Sequence, residues 1–360
     1  MSKKTFHIVD TDIHNTYADG KEVTKFLPSH WMGRIQLPNN CFSPSPARGG
    51  SRLDAVTPSG GAPASDPDFL MEHHMDAYGI NYGILTGSGV LAVSIHCDPD
   101  YGNDLATAYN EFTVEKWLSY SDRFYGSIVI NHTDPLAAAK EIDKHGANPR
   151  FVQVIMGSAS RTLFGQRQFY PIYEAAQRHG LPISIHPGTE GRGISGYPTP
   201  SGPVTRYMEW HNILPTNYMA HVNSLVCEGV FERFPELQFV CIEGGIAWLP
   251  HLMWRMDKNF KGLRASTPWL KRMPSEYILD HIKLTTQPIE EPDNPRHLSQ
   301  IFEMIQAEKT VMFSSDYPHW DFDNPHAALP PLDDAVKQSI YYDTAAKLYG
   351  LPARPDAQGE

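Results

Sequence analysis

The chain has 360 residues, enough for one large α/β barrel or two average domains, and enough to bury a core without disulfide or metal staples. Its net charge of −11, from 30 basic and 41 acidic residues with no long basic run, argues against a nucleic-acid or anionic-membrane partner. No apolar run approaches a membrane span, the opening MSKKTFHIVD lacks a signal-peptide core, and Cys41, Cys97, Cys227 and Cys241 are too scattered for a disulfide framework or a CxxC site. A cytoplasmic enzyme is the expectation.

Eight short β-branched or apolar runs read as strands: 7–14, 82–87, 124–131, 151–157, 181–188, 239–245, 282–288 and 311–319. Segments with helical spacing fall between them, at 68–79, 102–122, 135–146, 169–180, 205–235, 247–263, 295–306 and 333–350. Gly146, Gly180 and Gly350 stand where C-caps belong. Eight strands each followed by a helix predict a distorted (β/α)8 TIM barrel, a single α/β domain over 1–350. A doubly wound open sheet is the alternative. Its Gly-rich phosphate turn is missing, because the first strand runs into NTYADGKEV. Residues 35–68, rich in Pro, Gly and Ser, form a long insertion after strand one, read as a lid or a subunit contact. Residues 351–360 are expected to fray.

The first strand carries an unusual face. Asp10, Asp12 and His14 alternate with Val9, Thr11 and Ile13, so the three polar groups point the same way. Buried without partners they would be costly. In a barrel, chemistry gathers at the C-terminal strand ends. Those ends carry Asp12 and His14 (strand one), His186 (five), Glu243 (six) and Asp316 (eight). Imidazoles and carboxylates are ligands of catalytic zinc and of harder ions such as manganese, and a bound ion can activate water. Each piece alone is weak: a D-x-H pair can end a strand, SIHPG can be a turn, and SSDYPH can cap a helix. Their joint placement carries the reading. Asp10, one step deeper, is either an acceptor orienting a ligand or a structural partner.

DTDIH (10–14), SIHPG (184–188), GVFERFPELQFVCIEGG (229–245), SSDYPH (314–319) and YDTAAKLYGL (342–351) together resemble the amidohydrolase-related family. The likeness is to the branch of aminocarboxymuconate-semialdehyde decarboxylase and the resorcylate-type decarboxylases. It implies one divalent ion, Zn2+ first and Mn2+ second, held by Asp12, His14, His186 and Asp316, with Asp316 also able to take a proton from water. It also implies a homodimer or homotetramer. One departure matters. That branch carries a histidine after strand six, whereas IEGG places Glu243 there.

The leading expectation is therefore a metal-dependent hydrolase of the amidohydrolase type. Asp316 or Glu243 takes a proton from water, which attacks an amide, ester, lactone or activated C–C bond of a small substrate. The alternative is a non-oxidative, metal-dependent decarboxylase of an aromatic or unsaturated acid. His319, best placed among His221, His251 and His319, is the candidate replacement acid/base group. Arg161, Arg192 and Arg206 are candidates to hold substrate anions. His73 and His74 read as facing solvent or an interface.

Overall fold

The computed structural model describes residues 6–32 and 50–354. Eight parallel strands run in chain order: β1 (Val9–Ile13), β2 (Tyr82–Leu85), β3 (Phe124–Val129), β4 (Phe151–Gly157), β5 (Ile183–His186), β6 (Phe239–Cys241), β7 (Ile282–Thr285) and β8 (Val311–Met312). Each falls inside a run expected from the sequence. The strands are almost wholly buried, as parallel strands sheathed by helices must be, which is why they read as continuous apolar runs. The ring closes between the β8 exit and β1. The Thr11 amide donates to Phe313 O (3.0 Å) and the His14 amide to Tyr317 O (2.8 Å). Polar side chains inside the sheet are satisfied locally: Ser127 Oγ donates to Leu85 O, and Gln153 Nε2 to Ser127 Oγ.

Four helices start on the same sequence device, an Asp or Asn followed by Pro. Asp66, Asp98, Asp134 and Asn294 accept hydrogen bonds from first-turn amides, and the proline fills the first helical position, where no N–H is needed. Three expected helices change pitch midway, the last of them at a π turn over Ser339–Asp343 between Asp334–Gln338 and Thr344–Tyr349. Pro67–Leu70 continues as a π-helical turn, Met71–Asp76, and Pro99–Phe112 continues as another, Thr113–Leu118. Gly180 and Gly350 adopt the left-handed conformation expected of C-caps (φ 66° and 64°). Gly146 does not, with φ −64°. It is needed for space, since a Cβ there would lie 2.5 Å from the His179 ring.

Residues 33–49, which hold much of the expected insertion, lie outside the described residues, as do 355–360 of the expected tail. The end of the insertion is placed: residues 50–52 run antiparallel to 318–320, with the Arg52 amide donating to Pro318 O (2.8 Å) and the Trp320 amide to Gly50 O (2.9 Å). Among the described residues no helix is long and apolar enough to cross a membrane.

Tyr218, fully buried on the helix Leu214–Cys227, ties the ends of two strands together. Its hydroxyl reaches Ile242 O beyond β6 and lies 3.4 Å from Ile185 O in β5. Tyr218→Phe leaves buried carbonyls short of a donor and should lower stability by about 1–2 kcal/mol. In urea unfolding the midpoint should fall with an unchanged slope. An unchanged midpoint would show that this tether contributes nothing.

Candidate metal centre

Five side chains meet at the mouth of the barrel. Asp12 lies in β1 and His14 just after it, His186 ends β5, Glu243 stands two residues beyond β6, and Asp316 follows β8. All five are buried, and each offers a ligand atom within 4.8 Å of every other. His14 Nε2 lies 3.0 Å from Asp316 Oδ1 and 3.5 Å from Asp12 Oδ1. His186 Nε2 lies 3.3 Å from Asp12 Oδ2 and 3.4 Å from Glu243 Oε2.

The back of each imidazole is fixed by a carbonyl, which can only accept. His14 Nδ1–H donates to Gly87 O (2.9 Å) and His186 Nδ1–H to Pro187 O (2.8 Å), so both Nε2 atoms face the shared centre. Thr86 Oγ donates to Asp12 Oδ1 (2.6 Å). His14 Nε2 and Asp316 Oδ2 are buried with no hydrogen-bond partner. Convergent N and O donors, two of them left without a partner at one point, fit a divalent cation that would displace the His14 proton.

Charge is crowded here. Burial opposes a charge on His14, yet Asp12, Asp316 and the Gly87 carbonyl outweigh it and push the imidazole up to about 9. Burial would raise Asp316 as well, but His319 and His14 hold it well below the usual carboxylate range. Glu243 has no such help. Burial, then the charges of Asp316 and Asp12, drive it well above its ordinary value. The backbone is strained at the same two carboxylates: Glu243 and Asp316 have φ of 57° and 59°, a region side chains other than glycine rarely occupy.

Beneath the ring, Asp10 accepts from the Ser315 amide (2.9 Å), the Ser315 hydroxyl, and His74 Nε2 (2.7 Å). It thus fixes the turn that carries Asp316. The expectation for His74 is corrected here, because the π turn carries its ring into the core, stacked 4.3 Å from the Tyr317 ring. His73 is half-buried, with Nδ1 3.0 Å from the Tyr317 hydroxyl and Nε2 3.6 Å from the exposed Asp54 carboxylate.

A cavity of about 330 Å³ opens above the centre, with His14, His186, Glu243 and His319 among its lining and Tyr207, Trp210 and Trp320 as aromatic walls. His319 sits 2.7 Å from Asp316 Oδ1 through Nδ1. Of the three arginines, Arg192 lines this cavity. Arg161 lines a separate one, its Nε donating to Ile194 O, and Arg206 is exposed at the start of the helix Tyr207–Asn212. His221 is a core residue stacked on Phe164, its Nε2 against Ser158 O, and burial pushes it down to about 4. His251 is exposed on the helix Trp248–Leu263.

Two residues beside the centre were not anticipated. His211 Nε2 lies 3.1 Å from Asp321 Oδ2 and 3.8 Å from Glu243 Oε1. The only sequence signal was position: Asp321 stands two residues beyond His319, in the run SSDYPHWDFD.

The sequence profile described as amidohydrolase matches residues 9–351. A gamma-resorcylate decarboxylase of Polaromonas sp. (strain JS666) is 24% identical over 77% of this chain and 85% of its own length. A dihydroxybenzoic acid decarboxylase from the same organism, solved with manganese and the inhibitor 2-nitroresorcinol, superposes with a TM-score of 0.68 at 20% identity, covering 97% of this chain and 98% of that one. An amidohydrolase of Mycobacterium avium subsp. paratuberculosis superposes with a TM-score of 0.74 at 20% identity, over 96% of this chain and all of that one. The sequence likeness to gamma-resorcylate decarboxylase over most of both chains overturns the hydrolytic reading. The profile match runs from the first residue of β1 to just past the glycine that ends the last helix, and the chain belongs to the amidohydrolase family.

Proposed function

We propose that this protein is a metal-dependent, non-oxidative decarboxylase of a small aromatic acid. The observation that carries the reading is the buried donor set on the floor of an aromatic-walled cavity. The decarboxylase relatives supply the reaction class. Asp12, His14, His186 and Asp316 would hold one divalent ion. The set has as many carboxylates as imidazoles, with Glu243 a further carboxylate beside it, so it suits manganese at least as well as zinc. Manganese is also the ion in the dihydroxybenzoic acid decarboxylase structure. When bound, such an ion supplies positive charge that orients a carboxylate and an adjacent phenolic oxygen and stabilises negative charge gathering on them.

The chain's own groups do the rest. Tyr207, Trp210 and Trp320 form a flat apolar wall suited to an aromatic ring. Arg192 is the cavity's arginine, and we assign it to an anionic substituent. Thr86 and the carbonyls of Gly87 and Pro187 keep the Asp12 carboxylate and both imidazoles aimed at the centre. His319 shares Asp316 Oδ1 with His14 and keeps that carboxylate ionised as a ligand.

Two outcomes are expected. Across a panel of hydroxybenzoic acids, esters and amides, the manganese-loaded protein should release carbon dioxide from an ortho-hydroxybenzoic acid and leave esters and amides intact. Chelation should abolish the release and manganese should restore it. Ester or amide turnover without carbon dioxide would contradict the proposal. The second outcome concerns protons. A cation needs the His14 lone pair, yet in the metal-free protein His14 is protonated below about pH 9. Binding at pH 7 should therefore release a proton, and affinity should rise about tenfold per pH unit up to about pH 9, then level. Calorimetry in two buffers of different ionisation enthalpy measures this. Affinity independent of pH between 6 and 8 would remove His14 from the ligand set.

A further inference from the structure

Arg161, one of the arginines expected to hold an anion, stands at a cavity of its own, apart from the metal centre. This second cavity has a volume of about 280 Å³ and lies beyond the ends of β3 and β4. The turn after β5 serves both cavities. Ile194 and Ser195 line the second and Arg192 the first, and the Arg192 amide donates to Ser195 Oγ (3.0 Å). Among the described residues no carboxylate lines the second cavity, whereas Glu190, Glu243 and Asp321 all line the first. We propose that this cavity is a second ligand site, taking a small hydroxylated carboxylate such as a hydroxybenzoate. Its recognition chemistry comes from its own side chains and is independent of the reaction proposed above.

Arg161 supplies the charge. Its Nε donates to Ile194 O, which pins the exposed guanidinium at the rim and leaves the terminal nitrogens to meet a carboxylate as a paired fork. The buried side offers a matched pair for a hydroxyl. His132 is buried, and its Nε2–H donates to Ala159 O (3.2 Å), which leaves Nδ1 as an acceptor. Burial pushes this imidazole down to about 4, so at neutral pH it is uncharged and keeps that lone pair. Among the described residues no donor is hydrogen-bonded to Nδ1. Ser94, also buried, accepts from the His132 amide through Oγ (3.2 Å), so its own hydrogen remains to be donated. A hydroxyl both accepts and donates, and so suits Ser94 Oγ and His132 Nδ1 together. Buried polar groups left short of partners cost free energy, which such a ligand recovers. Phe169 and Ile194 add an apolar surface for a ring.

Calorimetry on the full-length, manganese-loaded protein with 3-hydroxybenzoate tests the site. A meta hydroxyl cannot chelate a metal together with the carboxylate, nor conjugate with the carbon that bears it, so the probe titrates without turnover. One binding event should survive chelation of the metal, because it does not belong to the metal centre. Arg161→Ala, a change at an exposed side chain, should weaken that event about tenfold or more with an unchanged melting temperature. Ser94→Ala should weaken the same event. Benzoate, which lacks the hydroxyl, should bind there about tenfold more weakly than 3-hydroxybenzoate. Binding that disappears with the metal, or that Arg161→Ala leaves unchanged, would overturn the assignment. So would benzoate binding as tightly as 3-hydroxybenzoate. None of these readouts depends on release of carbon dioxide, so failure here and failure of the decarboxylase reading are seen separately.

Discussion

The centre is governed by like charge in a confined space. Asp12, Glu243 and Asp316 are buried with ligand oxygens within 4.8 Å of one another, and no lysine or arginine belongs to the ring. Two like charges about 4 Å apart repel by about 4 kcal/mol at an effective dielectric of 20. Three ionised carboxylates in that arrangement would cost an amount comparable with the whole stability of a typical domain, about 5–15 kcal/mol. Positive charge has to enter. The chain alone answers with protons, raising His14 to about 9 and driving Glu243 well above the carboxylate range. A divalent cation would resolve the same conflict with one particle, and would satisfy His14 Nε2 and Asp316 Oδ2, which have no hydrogen-bond partner.

Much of the surrounding architecture serves to hold that arrangement. Parallel strands deliver the donors to one end of the barrel, and strained backbone at Glu243 and Asp316 brings two of the carboxylates to the ring. Asp10, clamped by Ser315 and His74, fixes the turn on which Asp316 rides. The π turn at Met71–Asp76 has a reason in this setting. It shifts the register of a helix that would otherwise place its histidines differently, and puts His74 against Asp10. Local strain and buried polar contacts of this kind persist only where rigid elements impose them.

What was legible in the sequence follows from how local each signal is. Buried parallel strands announce themselves as apolar runs, and a barrel gathers strand ends, so the sequence pattern alone brings Asp12, His14, His186, Glu243 and Asp316 together. Arg161 and Arg206 could not be placed, because their positions depend on the path of loops with no periodicity to read. His74 was misassigned because a π turn leaves no clear mark in the residue pattern. His211 and Asp321 were overlooked for a related reason. One sits on a connecting helix and the other past the last strand, so only long-range packing brings them to Glu243. The reaction was the least legible item. The same ligands serve hydrolysis and decarboxylation, and the choice came from relatives with an assigned reaction.

The proposed decarboxylase depends on one divalent ion held among Asp12, His14, His186 and Asp316. Anomalous diffraction at the manganese edge, from crystals of the manganese-loaded protein, tests it most directly. One strong peak per chain is expected, at coordinating distance from His14 Nε2, His186 Nε2 and a carboxylate oxygen of each aspartate. No peak, or a peak that leaves either histidine out of the coordination, would contradict it.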